Sequence, residues 1–122
     1  MKIEKRVENG VPIALVEGEE KALTSPQEAL DLAMTVKYET GSLRIALPKR
    51  LVAEEFFILS SGLAGEVLQK YVNYHFKLAI WGDFSHYTSK PLHDFIYESN
   101  QGNDFFFVAS QEEALRKLAE AE

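Results

Sequence analysis

Short apolar runs alternate along this chain with longer stretches of helical periodicity, an order that points to helices packed on a sheet. Leu43 to Leu47, Phe76 to Trp81 and Asp104 to Ala109 are too short for stable helices and carry few polar atoms, so each reads as a buried strand. The segments between them carry helix start and stop signals. Ser25 as N-cap, Pro26 at the first helical position and Glu28 completing a capping box open a helix predicted over residues 26 to 40. Ala29, Leu30, Ala33 and Met34 form its expected apolar face, and Gly41 suits a left-handed stop. Thr88 or Ser89 can cap a third helix with Leu92, Phe95 and Ile96 inward. Ser110-Gln111-Glu112-Glu113 is a second capping box, opening a last helix with Ala114, Leu115 and Leu118 on one face.

The central stretch, residues 56 to 74, is the most informative. Phe56, Phe57, Ile58 and Leu59 run into Ser60, Ser61 and Gly62, after which Leu63, Ala64, Val67, Leu68, Tyr71 and Val72 recur at the spacing of one buried helical face. Ser60 or Ser61 is the expected N-cap, and Val52 to Phe57 is expected to form a short helical turn leading in. At the start of the chain, residues 2 to 7 and 11 to 16 favour strands, and Asn9-Gly10 between them favours a tight hairpin turn. Pro12 suggests an edge position or a strand entrance. Glu17 to Lys21 reads as a charged loop. The expected fold is a single α/β domain over residues 1 to 122: a β-hairpin, then alternating helices and strands, giving a mixed, mostly parallel sheet of about five strands with four helices.

Composition narrows the functional classes. At 122 residues and 46% hydrophobic, the chain can bury one core. Its formal net charge of -6 is the wrong sign for binding a phosphate backbone, so no nucleic-acid partner is expected. Cysteine is absent, which excludes disulfides and thiolate chemistry. No run approaches the roughly 20 apolar residues that span a bilayer, and MKIEKRVENG lacks the apolar segment of a signal peptide. A soluble, cytoplasmic protein without a membrane partner is expected.

The order of elements, together with SSGL at Ser60 to Leu63, resembles the anti-sigma factor antagonist domain, also called the STAS or SpoIIAA-like domain. Those domains commonly carry Asp-Ser-Ser-Gly-Leu-Gly at a strand-to-helix junction, where this chain has Leu59-Ser60-Ser61-Gly62-Leu63-Ala64; SQEEAL at Ser110 to Leu115 resembles the start of their last helix. The resemblance implies a phosphorylatable serine, Ser61, and a protein partner. A phosphoryl group there would add about -1.5 to -2 charge at the positive end of a helix dipole. Leu59 departs from the acidic residue that ordinarily precedes the serines, which bears on recognition by a kinase. The whole sequence also resembles a bacterial family catalogued as domain of unknown function 4180, in SGLAGEVLQKYVNY, KLAIWGDFSHYTSK and DFIYESNQGN; that resemblance implies no activity.

Two candidate sites follow. The first is the turn of Ser60, Ser61 and Gly62, where plain helix capping stands beside a regulatory or protein-binding role. The second lies where open α/β sheets gather ligands, outside the carboxyl ends of the strands: Pro48, Lys49 and Arg50 after one strand, Gly82, Asp83, Ser85, His86 and Tyr87 after the next, and Ser110 after the last. Lys49, Arg50, Asp83 and Ser85 there can serve a small anion, a modest enzyme or a partner's acidic tail, or be ordinary solvated loops. His75, His86 and His93 make no metal signature, and no metal or other cofactor is expected. Ser61, His86 and Asp83 can be written as a hydrolase triad, but the Gly-x-Ser-x-Gly elbow is missing. A homodimer formed through an apolar patch near Phe56 and Phe57 is a further alternative.

Overall fold

Asn9 and Gly10 both take positive φ, 52° and 78°, and this two-residue turn folds β1 (Lys2–Glu8) back on β2 (Val11–Glu17) as an antiparallel pair. The computed structural model describes residues 1–122. The chain continues through α1 (Pro26–Thr40), β3 (Arg44–Pro48), α2 (Leu63–Asn73), β4 (Lys77–Trp81), α3 (Lys90–Gln101), β5 (Phe105–Val108) and α4 (Gln111–Glu120). The strands lie in the order β1-β2-β3-β4-β5, and every pair after the hairpin is parallel. The α/β fold expected from the sequence, with its opening hairpin, five-stranded mixed sheet and four helices, is the one observed.

Each crossover from β2 to β5 advances one strand in the same direction. Because such connections are right-handed, three successive ones place their helices on one face of the sheet. The core divides accordingly. Ala14, Val16, Ile45, Leu47, Leu78, Ile80 and Phe107 pack under α1, α2 and α3, whereas Ile13, Leu15, Ala46, Ala79, Phe106 and Val108 point to the opposite face, where α4 brings Ala114, Leu115 and Leu118. Alternation of side chains along each strand produces this split. Alanine at the middle of β3 and β4 keeps the α4 face low, so a ten-residue helix can lie close on it.

Ser25 caps α1 as expected, accepting from the Glu28 amide at 3.1 Å, but the Glu28 carboxylate turns to the Thr24 hydroxyl at 2.9 Å instead of closing the box. The buried stripe of α1 is Ala29, Leu32, Ala33 and Val36, not the expected pairing with Leu30 and Met34. It follows the i, i+3, i+4, i+7 pattern and carries the larger side chains Leu32 and Val36 inward, which leaves Met34 exposed. In α2, Val72 is likewise exposed rather than inward, and Ala64, Val67, Leu68 and Tyr71 make the buried face. Pro12 is a strand entrance and not an edge, because β2 lies between β1 and β3. No helix is long and apolar enough to cross a membrane.

Candidate functional site

Between β3 and α2 the chain makes three tight 3₁₀ turns, Lys49–Leu51, Glu54–Phe57 and Leu59–Ser61. Phe56 and Phe57 drop into the core at 0% and 4% exposure and anchor the segment. The two rings themselves form no surface patch for a dimer: they pack on each other at 5.1 Å and on Phe107. Ile58 is left 54% exposed, and Ser60 and Ser61 face solvent beside it.

Neither serine is the N-cap of α2. Gly62 holds that position at φ 81°, a left-handed conformation in which an added Cβ would meet nothing, so glycine is needed for its backbone angle and not for space. The Ser61 hydroxyl still serves the helix start, from one residue earlier: it accepts from the Leu63 amide at 3.2 Å and donates to the Glu55 carbonyl at 2.7 Å. Ser61 thereby ties two consecutive turns to the first residue of α2.

At the carboxyl rim of the sheet the structure brings some expected residues together and separates others. Lys49 Nζ lies 4.6 Å from the centre of the Tyr87 ring and 5.8 Å from those of Phe57 and Phe84, with His86 Nε2 at 3.4 Å. Such a setting favours a cation through the negative faces of the rings. The Lys49 stem lies against Gly82, where a Cβ would come within 2.7 Å of Lys49 Cβ. Asp83 accepts from the Ser85 amide at 2.8 Å and from its hydroxyl at 2.6 Å, and these two bonds, hydroxyl first, hold its carboxyl below the ordinary carboxylate range. Burial, with Glu54 adding to it, pushes the Tyr87 phenol up to about 12. Arg50 leaves this group: its guanidinium pairs with Glu17 at the end of β2, and its carbonyl accepts from Lys21 at 3.2 Å. Ser110 caps α4, accepting from the Glu113 amide at 3.2 Å.

Ser61, Asp83 and His86 therefore bond to different partners and do not form a triad, and no group of three His, Asp or Glu side chains is placed to hold a metal ion. The strand order never reverses, so the sheet lacks the crevice at which doubly wound sheets bind ligands. What lies beside the rim is an open groove of about 780 Å³, lined by Asp83, Ser85, Asn100, Glu113 and Lys117 among others, but not by Lys49 or Arg50. The aromatic surroundings of Lys49 were not legible in advance, because Phe57, Phe84 and Tyr87 come from two loops and read in sequence as core or polar turn.

No curated protein and no solved structure matches this chain. A family model does, over residues 8–118, which takes in β2 to β5, all three crossovers and most of α4 but only the last residue of β1. The chain belongs to the family described as Domain of unknown function (DUF4180).

Proposed function

We propose that this domain is a STAS-like protein-binding module without catalytic activity, and that its contact surface is the turn from Ile58 to Gly65. The observation that carries the reading is the exposure of Ile58, Ser60 and Ser61 together at the start of α2, held in shape by buried Phe56 and Phe57. A large apolar side chain flanked by two hydroxyls on a pre-formed turn needs little ordering to dock, which favours binding. Element order and SSGL add the resemblance to antagonist domains. A phosphoryl group on Ser61 would remove the bond donated to the Glu55 carbonyl and add about -1.5 to -2 charge beside the Leu63 amide. That makes Ser61 a point where binding can be switched.

The test is affinity capture from native cell extract with wild type, Ser61→Glu and Ile58→Asp, read by mass spectrometry. A partner retained by wild type and lost by both folded variants is expected; identical captured sets from all three would remove the turn as a contact surface. The groove beside Asp83 and Ser85 supports a second reading, a small-ligand site at the sheet rim. Chemical-shift changes confined to those residues on adding a ligand mixture, with the turn unaffected, would favour it.

A further inference from the structure

The two edges of this sheet are guarded in different ways. β1 is charged at five of its seven positions, Lys2, Glu4, Lys5, Arg6 and Glu8, and such an edge resists pairing with another strand. β5 has the sequence Phe105-Phe106-Phe107-Val108, with no charge, no proline and high strand propensity. α3 and α4 pack on it, and the outward N–H and C=O of Phe107 are both taken by one side chain. Asn100, in the last turn of α3, donates from Nδ2 to the Phe107 carbonyl at 3.0 Å and accepts from the Phe107 amide through Oδ1 at 2.8 Å.

That pair of bonds identifies what the edge would otherwise hold. In an antiparallel sheet, a residue facing another in a hydrogen-bonded pair exchanges both N–H···O bonds with it; in a parallel sheet the two bonds go to different residues. The Asn100 carboxamide reproduces the antiparallel exchange on Phe107. We propose that β5 is a latent strand-pairing edge kept closed by Asn100, and that its occupant once opened is β5 of a second copy of this chain. A two-fold axis at Phe107 makes the two β5 strands antiparallel and lets each Phe107 take the bonds that Asn100 makes in the single chain. Phe106 and Phe107 are buried, one in the core on each face of the sheet, and Asn100 stands on the outward backbone groups of Phe107, so a pairing strand must take its place.

The experiment compares wild type, Asn100→Ala, Asn100→Asp and Asn100→Ala/Ala109→Lys by size exclusion with light scattering over a concentration series, with hydrogen exchange at the Phe107 amide. Wild type is expected to stay at the mass of one chain with a slowly exchanging Phe107 amide. Asn100→Ala should move to the mass of two chains as concentration rises, with the amide fast when dilute and slow when concentrated. Asn100→Asp keeps the acceptor but sets a carboxylate oxygen against the Phe107 carbonyl, so it should behave similarly. A lysine at exposed Ala109, just past the strand, should restore the single chain. A folded Asn100→Ala that remains monomeric at the highest concentration overturns the proposal, and so does a dimer indifferent to Ala109→Lys. Loss of folding in both single variants overturns it too, since a residue that only blocks an edge is not required for the fold.

Discussion

Removing the hydroxyl of Ser42 should cost this domain about 2 kcal/mol, more than a surface serine outside a helix cap does. Apart from the phenol of Tyr71, Ser42 carries the one polar side chain buried in the core, at 1% exposure. The reason lies thirty residues earlier. With a two-residue turn at Asn9-Gly10, the hydrogen-bonded pairs of the hairpin fall on Glu8 with Val11 and on every second pair after it, so the backbone of Pro12 is directed away from β1 and toward β3. Proline has no N–H to give, and the β2–β3 ladder starts only at Ala14 with Ile45. Ser42 fills the gap. Its hydroxyl lies 2.8 Å from the Pro12 carbonyl and 3.0 Å from the Arg44 carbonyl, and it accepts from the Arg44 amide at 3.0 Å. In Ser42→Ala the Pro12 carbonyl and the Arg44 amide lose this partner, each at about 1–3 kcal/mol if left dry. Gly41 and Leu43 on either side are exposed, so water reaches part of the site and the lower end of that range, about 1 kcal/mol for each group, applies. Urea denaturation should show an earlier midpoint at unchanged slope, and thermal melting a fall of roughly 6–10 °C. A loss below about 0.5 kcal/mol would refute the reasoning, because it would mean that the hydroxyl closes no gap in the ladder.

Arg44 extends from the same strand to the far end of α4, donating to the carbonyls of Leu118 and Ala121. Arg44→Ala should cost about 1.5–3 kcal/mol, as charged hydrogen bonds do, and should speed amide exchange in the last turn of α4 before any other helix. Tyr87 and Tyr71 set an alkaline limit. Burial raises both phenols above their ordinary value of 10.0, Tyr87 to about 12. A group whose folded pKa lies above its unfolded one contributes fully below the unfolded value and loses that contribution as pH rises through the folded one, so stability should fall between about pH 10 and 12. Absorbance titration of wild type against Tyr71→Phe and Tyr87→Phe should show the phenolates of Tyr71 and Tyr87 forming only above the ordinary value of 10.0, with Glu54→Gln bringing Tyr87 down; either phenolate forming at the ordinary value would refute it.

The architecture was legible because its signals are local. Asn9-Gly10, Ser25 with Pro26, Gly41 and Ser110 each act within a few residues of themselves, and each does in the structure what its type predicts. The structure departs from these local signals by rotations and offsets. Leu32 and Val36 occupy the stripe where spacing also allows Leu30 and Met34, since a helix with apolar residues at 29, 30, 32, 33, 34 and 36 offers two overlapping faces and only packing on the sheet chooses between them. Ser60 and Ser61 are each of a type that caps well, yet Gly62 follows them and takes the N-cap position, because the left-handed conformation there costs a glycine little.

The sites were harder to read for a different reason: whether a charged or polar side chain is free depends on partners far away in sequence. Arg50 looks available until Glu17 is placed beside it, thirty-three residues earlier, and Lys49 until the loop carrying Phe84, His86 and Tyr87 folds over it. The rim of the sheet is thus a set of groups that largely satisfy one another, with Asp83 held by Ser85 and Arg50 by Glu17. A ligand arriving there must first break a contact the chain already makes, which lowers its net gain. At the turn before α2 the balance differs: Ile58 meets water that a partner can displace, and the Ser61 bonds hold the backbone in place without covering it. For this reason the turn, and not the rim with more charges, is where a contact surface is proposed.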